Sequence, residues 1–326
     1  MEMREAIVVG GGIAGLSAAI YLARAETDTL VIDSGHSMAK WEPKVENYLG
    51  FPKGVDGEDL LEAGRKQAER YGAKFVADEI TKVDREKSGF TLRGKNGEYG
   101  AKRLLLATGI FHIPPDIPGV KECLGHSLFF CKDCDGYRVR GKRIAITGAN
   151  NEAVEYALGM LFYSPCVIVA TNGEPKRWDK QHDAWLREYE IPVEPNRVQD
   201  VRHRREKIKA LVYDGGREIK IDYIFTTRGD IYHTGLAEKL GAKLDAEGQI
   251  EVDHCMRTSV PGLYAAGCVT PANCQMIIAA GQGATAAQAI NRDLFEESLA
   301  DHELRRFREQ QLEQTKTVPE GAGPAA

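Results

Sequence analysis

The chain opens on an alternation of short apolar runs and small-residue segments. Ala6–Val9 is an apolar run of β type, Gly10–Gly15 is a glycine-rich turn, and Leu16–Arg24 has the alanine-rich composition of a buried helix. A second apolar run, Thr29–Asp33, ends on an aspartate. Strand, helix and strand in this order predict the start of a parallel β-sheet.

The rest of the pattern predicts a second unit of the same kind, inserted into the first. Three prolines between residues 114 and 118 mark a change of domain, and a second strand-turn-helix pattern begins at Gly141. Near Ile250 the chain again has short apolar runs and small-residue segments like those of the first unit. We predict an α/β fold of two Rossmann-like nucleotide-binding domains, formed by residues 1–113 with 250–300 and by residues 114–249. Residues 301–326 are predicted to form a charged, partly disordered tail.

Composition narrows the class of protein and of partner. The 326 residues carry 43 Lys and Arg against 48 Asp and Glu, and without a basic stripe we expect no nucleic-acid partner. Seven cysteines are too few for a disulfide scaffold and odd in number, which favours the cytoplasm. The long apolar stretches contain glycines, prolines and amides that do not suit membrane spans, and no secretory signal begins the chain. We therefore expect no membrane association.

The first glycine turn has the pattern of a dinucleotide site. Gly10, Gly12 and Gly15 form G-x-G-x-x-G after a strand, and Asp33 ends the next strand. The first glycine makes the turn, the second admits a pyrophosphate, and the third lets the helix approach the strand. Helix N–H groups then face the phosphates, and Asp33 is placed to bind a ribose hydroxyl.

A C-x-x-C pair, Cys131 and Cys134, is the second informative feature. Such a pair can form a readily reduced disulfide and can lower the pKa of one thiol, which favours redox chemistry. The alternative is zinc, because Cys123 and His126 lie just upstream and would complete a set of four ligands. An inert buried pair is the third interpretation.

Four motifs in their order and spacing resemble the low-molecular-weight thioredoxin reductase family of flavoproteins. They are VENYLGFP at Val45–Pro52, LLLATG at Leu104–Gly109, CKDCDG at Cys131–Gly136 and VPGLYAAG at Val260–Gly267. The resemblance covers residues 3–299 and implies FAD in the discontinuous first domain, a homodimer, and a thioredoxin-like protein as disulfide substrate. The residues that it assigns to FAD, with the front turn, are Gly10, Gly12, Gly15, Asp33, Asn47, Thr108, Gly109, Gly267 and Gln275.

The same resemblance implies roles at the C-x-x-C motif. Cys134 is the thiol that faces the flavin, Cys131 attacks the partner's disulfide, and Asp135 donates and accepts the proton. A carboxylate in partly buried surroundings can be tuned to such work. The alternative for Asp135 is a turn-forming residue before Gly136.

In the inserted unit the nucleotide turn departs from the family's G-x-G-x-x-A. Asn150 stands where the second glycine admits a pyrophosphate, and Glu152 falls in the first helical turn, where it opposes an anionic ligand. The family's basic cluster for the 2′-phosphate is missing, and Lys176 and Arg177 lie past a proline, where we expect them to face solvent. NADPH binding is therefore doubtful, and a second flavin is an alternative ligand.

The flavin side departs as well. Cys268 replaces the aspartate after the glycine of the C-terminal flavin motif, and Cys274 replaces the arginine before Gln275. These two cysteines are either a further redox pair or, as we expect, two small buried residues.

The sequence thus predicts an enzyme that passes electrons between FAD and the Cys131/Cys134 disulfide to a thioredoxin-like or other disulfide substrate. The donor that we favour is not NADPH but ferredoxin, a second flavin or another protein. An ordinary NADPH-dependent thioredoxin reductase is the first alternative. A nucleotide-binding regulatory module with structural zinc is an alternative from another class.

Overall fold

A computed structural model of the protein describes residues 2–316, and the predicted disorder of residues 318–326 lies outside them. The helices are α1 Ile13–Arg24, α2 Gly57–Arg70, α3 Lys132–Asp135, α4 Asn151–Met160, α5 Lys180–Glu188, α6 Gly235–Lys239, α7 Met276–Ala300 and α8 Glu303–Lys316. The strands are β1 Met3–Val9, β2 Thr29–Asp33, β3 Lys74–Ala77, β4 Ile80–Glu86, β5 Gly89–Gly94, β6 Glu98–Leu106, β7 Ile110–His112, β8 Leu128–Phe129, β9 Ile144–Thr147, β10 Val167–Ala170, β11 Val193–Glu194, β12 Asp200–Arg204, β13 Lys207–Val212, β14 Glu218–Lys220, β15 Tyr223–Thr226, β16 Asp230–Tyr232 and β17 Leu263–Ala265.

The first sheet is built mainly from the N-terminal third of the chain. Its strand order is β3-β2-β1-β6-β5-β4, and β17 pairs with β6 in parallel. Small residues let α1 and α7 cover one face closely, since a Cβ at Gly283 would lie 2.0 Å from the Ala14 carbonyl oxygen. The carboxyl ends of β1, β2, β6 and β17 therefore meet at one edge, where cofactors bind in open parallel sheets.

The inserted unit has a parallel sheet of its own. Its order is β11-β10-β9-β15-β8, and a three-stranded antiparallel sheet, β12-β13-β14, lies beside it. Side chains of α4, among them Val154 and Ala157, share a core with Ile144 and Ile146 of β9. The prediction of an α/β fold with two Rossmann-like units, the second inserted in the first, is confirmed.

The two passages of the chain between the units run side by side. Strand β7 lies where the chain leaves the first unit, and β16 lies where it returns. The two strands pair antiparallel. After β16, Ala237 and Ala242 are buried in the core of the first sheet together with Ile7 and Leu104. Apolar residues of and around the short helix α6 thus already pack on the first sheet before residue 250, where we predict the return.

Other boundaries differ by a few residues from the sequence pattern. Helix α1 begins at Ile13 rather than Leu16, and one helix, α7, runs from Met276 to Ala300. No helix in residues 2–316 is long and apolar enough to cross a bilayer.

Candidate active site

A cavity of about 740 Å³ lies where the first sheet faces the inserted unit. The ends of β1, β2, β6 and β17 form one side of it, and the C-x-x-C segment lies on the other. The volume falls within the range of about 300–1,000 Å³ that is usual for small-molecule and cofactor sites. Of the predicted site residues, all but Gly15 line this cavity.

The front glycine turn has the geometry of a dinucleotide cradle. Gly10 has φ of 110°, and a Cβ there would lie 2.2 Å from the Ala107 carbonyl oxygen. A Cβ at Gly15 would lie 1.9 Å from the Gly10 carbonyl oxygen, so Gly15 serves the close packing of α1 on β1. Gly12 differs, since a Cβ there would meet only Ser37 Oγ, at 3.5 Å, among the described residues. Its bare backbone therefore faces the cavity.

Asp33 is held at the edge of this cradle. The Gly11 N–H donates a hydrogen bond to Asp33 Oδ1 over 3.0 Å, which fixes the carboxylate at the end of β2. One oxygen is oriented by the turn, and the carboxylate lines the cavity. That is the position from which an acidic residue binds a ribose hydroxyl.

The remaining predicted cofactor residues also line the cavity. Thr108 Oγ1 donates to the His233 carbonyl oxygen over 2.7 Å, and the next residue, Gly109, has φ of 68°. Gly267 has φ of 86° and donates its N–H to Gln282 Oε1 over 2.8 Å. The positive φ values let the chain turn sharply at the strand ends, so backbone lines the cavity there.

These features fit FAD. A bare glycine faces the cavity at the N-terminus of α1, whose free N–H groups favour a pyrophosphate, and a fixed carboxylate lies at the ribose position. Gly10, Gly12 and Asp33 would hold the adenosine half, and Asn47, Thr108, Gly109, Gly267 and Gln275 surround the space toward the disulfide.

Cys131 and Cys134 form a disulfide at the inner end of this cavity. The Cys134 N–H donates to Cys131 Sγ over 3.1 Å at the start of α3. Gln275 Nε2 lies 3.4 Å from Cys131 Sγ and 3.2 Å from Cys134 Sγ. Gln275 Oε1 accepts a hydrogen bond from Asn47 Nδ2 over 3.0 Å, which orients the amide. The sulfurs are thus held against the first domain.

Asp135 is a buried carboxylate, with 3% of its surface exposed. Burial raises its pKa to about 6, the Arg138 guanidinium at 3.0 Å opposes that rise, and Glu46 adds to it. The following Gly136 has no room for a side chain, because a Cβ would lie 2.5 Å from the Tyr163 ring. Asp135 is thus a buried, ion-paired carboxyl group directly after Cys134.

A second carboxyl group with a raised pKa, Glu42, lines the same end of the cavity. Burial and the charge of Asp135 raise its pKa to about 8, against the lowering effect of Arg138. Arg138 also pairs with Glu46 at 3.0 Å and donates to the Lys44 carbonyl oxygen, so it links the two units. Sequence reasoning missed Glu42, which no motif marks. The only part of this charge cluster that the sequence could have indicated is the Asp135–Arg138 ion pair, because the two residues lie three positions apart.

The nucleotide turn of the inserted unit is closed by its own side chains. Asn150 Oδ1 accepts a hydrogen bond from the Ala153 N–H over 3.1 Å, as the N-cap of α4. Asn151 and Asp179 exchange two hydrogen bonds, of 3.2 and 2.9 Å, and the Arg177 N–H donates to the Ala149 carbonyl oxygen over 2.6 Å. The segment around residue 178 thus lies across the turn.

The charge around this turn is negative. Burial raises the pKa of Glu152, and the charges of Asp230 and Glu155 raise it further. Lys176 and Arg177 are exposed, as expected, and each is paired, with Asp183 at 3.7 Å and Glu174 at 2.9 Å respectively.

The structure bears on two further interpretations of the cysteines, the Cys268/Cys274 pair and the zinc alternative. Cys268 and Cys274 form a disulfide, and Cys274 is exposed, so they are not two small buried residues. For the zinc alternative, Cys123 is buried in an apolar core and the C-x-x-C thiols are joined to each other. Within residues 2–316 the only group of three neighbouring metal-ligating side chains is Asp253, His254 and Cys255, not the four predicted residues.

A dinucleotide cradle facing a C-x-x-C disulfide across one cavity defines a flavin-dependent thiol-disulfide oxidoreductase. Residues 4–290 match the family described as pyridine nucleotide-disulphide oxidoreductase. The chain belongs to that family.

Individual relatives cover nearly the whole chain. The thioredoxin reductase of Treponema pallidum (strain Nichols) is 33% identical over 294 residues, which cover 87% of this chain and 95% of that protein. The crystal structure of HlmI is similar with a TM-score of 0.86 at 29% identity, covering 94% of this chain and 96% of its own. A putative thioredoxin reductase, TrxB from Bacillus anthracis, has a TM-score of 0.83 at 27% identity, with 90% and 99% covered.

Proposed function

We propose that this enzyme reduces the disulfide of a thioredoxin-like protein and takes its electrons from a donor other than NADPH. FAD, when bound in the 740 Å³ cavity, supplies two-electron transfer to the Cys131–Cys134 disulfide. The thioredoxin reductase from Treponema pallidum supports the substrate class.

The dithiol form of the C-x-x-C motif carries out the exchange with substrate. In this proposal the Cys131 thiolate attacks one sulfur of the substrate disulfide, and the other substrate sulfur leaves as a thiolate. Cys134 then attacks Cys131 Sγ, which releases the second substrate sulfur and restores the enzyme disulfide. Two electrons and two protons pass to the substrate.

Asp135 and Glu42 are proposed to hold the protons for these steps. Their pKa values of about 6 and about 8 bracket neutral pH, so one is mostly ionised and the other mostly protonated at pH 7. A carboxyl group works best as acid or base when its pKa lies near the working pH. Arg138, 3.0 Å from Asp135, is proposed to hold that carboxylate in place.

The choice of donor rests on the turn between β9 and α4. Asn150 Oδ1 uses the Ala153 N–H, which a pyrophosphate would need, and Glu152 and Asp179 place negative charge beside it. At about 4 Å and an effective dielectric constant near 20, two like charges repel by about 4 kcal/mol, roughly a thousandfold in affinity. The same charges oppose the pyrophosphate of a second FAD, so we favour a protein donor such as reduced ferredoxin.

Restoring the family pattern tests this choice. The double variant Asn150→Gly with Glu152→Ser removes the side-chain cap and the first-turn charge, so NADPH should bind at least tenfold more tightly than to the unmodified protein. Isothermal titration of the holoenzyme measures this directly. Glu188→Ser, at an exposed carboxylate that ends α5, is the control and should leave the weak binding unchanged. Micromolar NADPH binding by the unmodified protein would instead favour the ordinary NADPH-dependent enzyme.

The roles of the two cysteines can be separated by trapping. In Cys134→Ser, Cys131 should remain covalently joined to a thioredoxin-like substrate, because no second thiol resolves the mixed disulfide. Cys131→Ser should trap much less. Equal trapping by the two variants, read by non-reducing electrophoresis, would remove the assigned order of attack.

The domain limits and the assembly belong to the same proposal. We propose that residues 1–113 with about 230–300 form the FAD domain, that the intervening residues form the domain of the C-x-x-C pair, and that the enzyme is a homodimer in the cytoplasm.

A further inference from the structure

The molecule has a second disulfide, between Cys268 and Cys274, that the proposed function does not use. It joins the turn after β17 to the residue that precedes Gln275, directly before α7. Both cysteines line the same cavity as Cys131 and Cys134. Cys268 is half-buried and Cys274 is exposed, so a reductant can reach one sulfur without unfolding of the chain.

The strand and the helix on either side of this disulfide are held by other contacts. Gln282 Oε1 accepts hydrogen bonds from the Gly267 N–H over 2.8 Å and from Thr270 Oγ1 over 3.2 Å. Thr270 is fully buried. Opening the disulfide should therefore leave β17 and α7 in place and free only the short segment 271–274.

This segment leads directly to the residue that contacts the first disulfide. Gln275 Nε2 lies 3.4 and 3.2 Å from the sulfurs of Cys131 and Cys134. Two interactions are described for residues 271–274. One is the Cys268–Cys274 disulfide, and the other is a hydrogen bond from the Gln275 N–H to the Asn273 carbonyl oxygen, over 2.9 Å. The second disulfide thus fixes the backbone on the N-terminal side of Gln275.

We propose that Cys268–Cys274 is a second redox-active disulfide, reduced by a dithiol, and that its opening releases Gln275 from the Cys131–Cys134 pair. A thiolate of the dithiol attacks the exposed Cys274 Sγ, and Cys268 leaves as a thiolate that takes up a proton. The second thiol of the reductant then attacks its own sulfur in the mixed disulfide and releases Cys274. The dithiol becomes a disulfide, and two electrons and two protons reach the cysteine pair.

Thiol mapping of the unmodified holoenzyme tests the first half of the proposal. The protein is equilibrated with increasing ratios of reduced to oxidised dithiothreitol, or with reduced thioredoxin, then alkylated and digested for mass spectrometry. Cys268 and Cys274 should become labelled while buried Cys123 stays unlabelled and flavin stays bound; exposed Cys166 should be labelled in every sample. If the two cysteines become labelled after treatment with either reductant, a protein dithiol can open the bond. If they become labelled only after dithiothreitol, the reductant is a small-molecule dithiol.

Two results would overturn this half. One is a Cys268–Cys274 bond that resists both reagents until Cys123 is labelled too, which indicates a purely structural disulfide. The other is a pair of free thiols in every sample. Neither readout depends on turnover, so the outcome is independent of the proposed function.

A double-mutant cycle tests the coupling to the first disulfide. In Cys268→Ser with Cys274→Ser, dithiothreitol should reduce Cys131–Cys134 about fivefold faster, the factor for one hydrogen bond of about 1 kcal/mol. Gln275→Ala should give a similar gain, and adding it to the serine pair should give no more. Cys166→Ser is the control and should match the unmodified protein. Equal rates with and without the second disulfide would refute the coupling.

Discussion

At the scale of residues, two carboxyl groups with unlike pKa values, Asp135 and Glu42, line the cavity that also contains the Cys131–Cys134 disulfide. Asp135 is buried with an arginine at 3.0 Å, whereas the pKa of Glu42 is raised further by the charge of Asp135 itself. Groups whose surroundings push their pKa values apart are typical of acid and base assignments.

Replacing Asp135 by asparagine should lower disulfide turnover about a hundredfold, since positioned acid-base groups contribute roughly 10²–10⁴. With a pKa of about 6, Asp135 holds its proton below that pH. The step that needs the acid should slow as pH rises through about 6 in the unmodified enzyme, and Asp135→Asn should lack that change. The control is Asp133→Asn, an exposed carboxylate on the same short helix. An unchanged pH profile in Asp135→Asn would refute the assignment.

Glu42 should make stability depend on pH. Its pKa is about 8 in the folded protein against an ordinary 4.5, so the folded state binds the proton that the unfolded state has lost. The free energy of unfolding should therefore fall as pH rises from about 5 to 8, by on the order of 2–4 kcal/mol. In Glu42→Gln this fall should be much smaller, because only the Asp135 carboxyl group, with a pKa of about 6, still contributes to it. Urea unfolding curves at several pH values measure it, and parallel curves for the two proteins would contradict the role of Glu42.

The sequence pattern predicted the dinucleotide cradle, but it did not predict the cluster of charged groups around Asp135 and Glu42. Gly10, Gly12, Gly15 and Asp33 have fixed backbone tasks, so their spacing alone indicated a site. Glu42 acquires its raised pKa only from burial and from Asp135, a neighbour 93 positions away in the sequence, and no local pattern reveals that. The Cys268–Cys274 bond was underestimated for the same reason, because sequence shows spacing but not exposure.

At the scale of elements, the two strand-turn-helix units differ in whether the turn before the helix is open to a ligand. The turn before α1 keeps a bare glycine facing the cavity, whereas the turn before α4 is capped by Asn150 and flanked by acidic side chains. The core strands and helices of both units followed from hydrophobic period. Their exact ends were not predicted, since α1 begins at Ile13, three residues before the predicted Leu16.

The bare turn before α1 gives a direct test of the flavin site. Gly12→Val should fold, because a Cβ there meets only Ser37 Oγ at 3.5 Å among the described residues, but its side chain should exclude the pyrophosphate. The Kd for FAD should rise more than tenfold, a loss of more than 1.4 kcal/mol, which titration of the apoprotein with FAD measures. Gly281→Ala, at a site with nothing within 4 Å among those residues, is the control. Full flavin content in Gly12→Val would show that the turn does not hold the cofactor.

At the scale of the whole molecule, the inserted unit places the C-x-x-C pair against residues of the first unit. Gln275, Arg138 and the β7–β16 pairing link the units, and the chain crosses between them twice. The two-unit architecture was predictable because each unit repeats the same local pattern. The packing of Ala237 and Ala242 on the first sheet was not predictable, because α6 is short and weakly patterned.

Anaerobic rapid mixing of the holoenzyme tests most directly where the enzyme takes its electrons from. Flavin absorbance is followed after mixing with NADPH at about 1 mM and, separately, with a reduced ferredoxin. The closed, acidic turn before α4 predicts that NADPH bleaches the flavin slowly or not at all, whereas the protein donor bleaches it and the C-x-x-C thiols then become available to alkylation. A flavin content near two per subunit would point to a second flavin as the donor path. Fast, stoichiometric bleaching by NADPH would contradict the account and identify an ordinary NADPH-dependent enzyme.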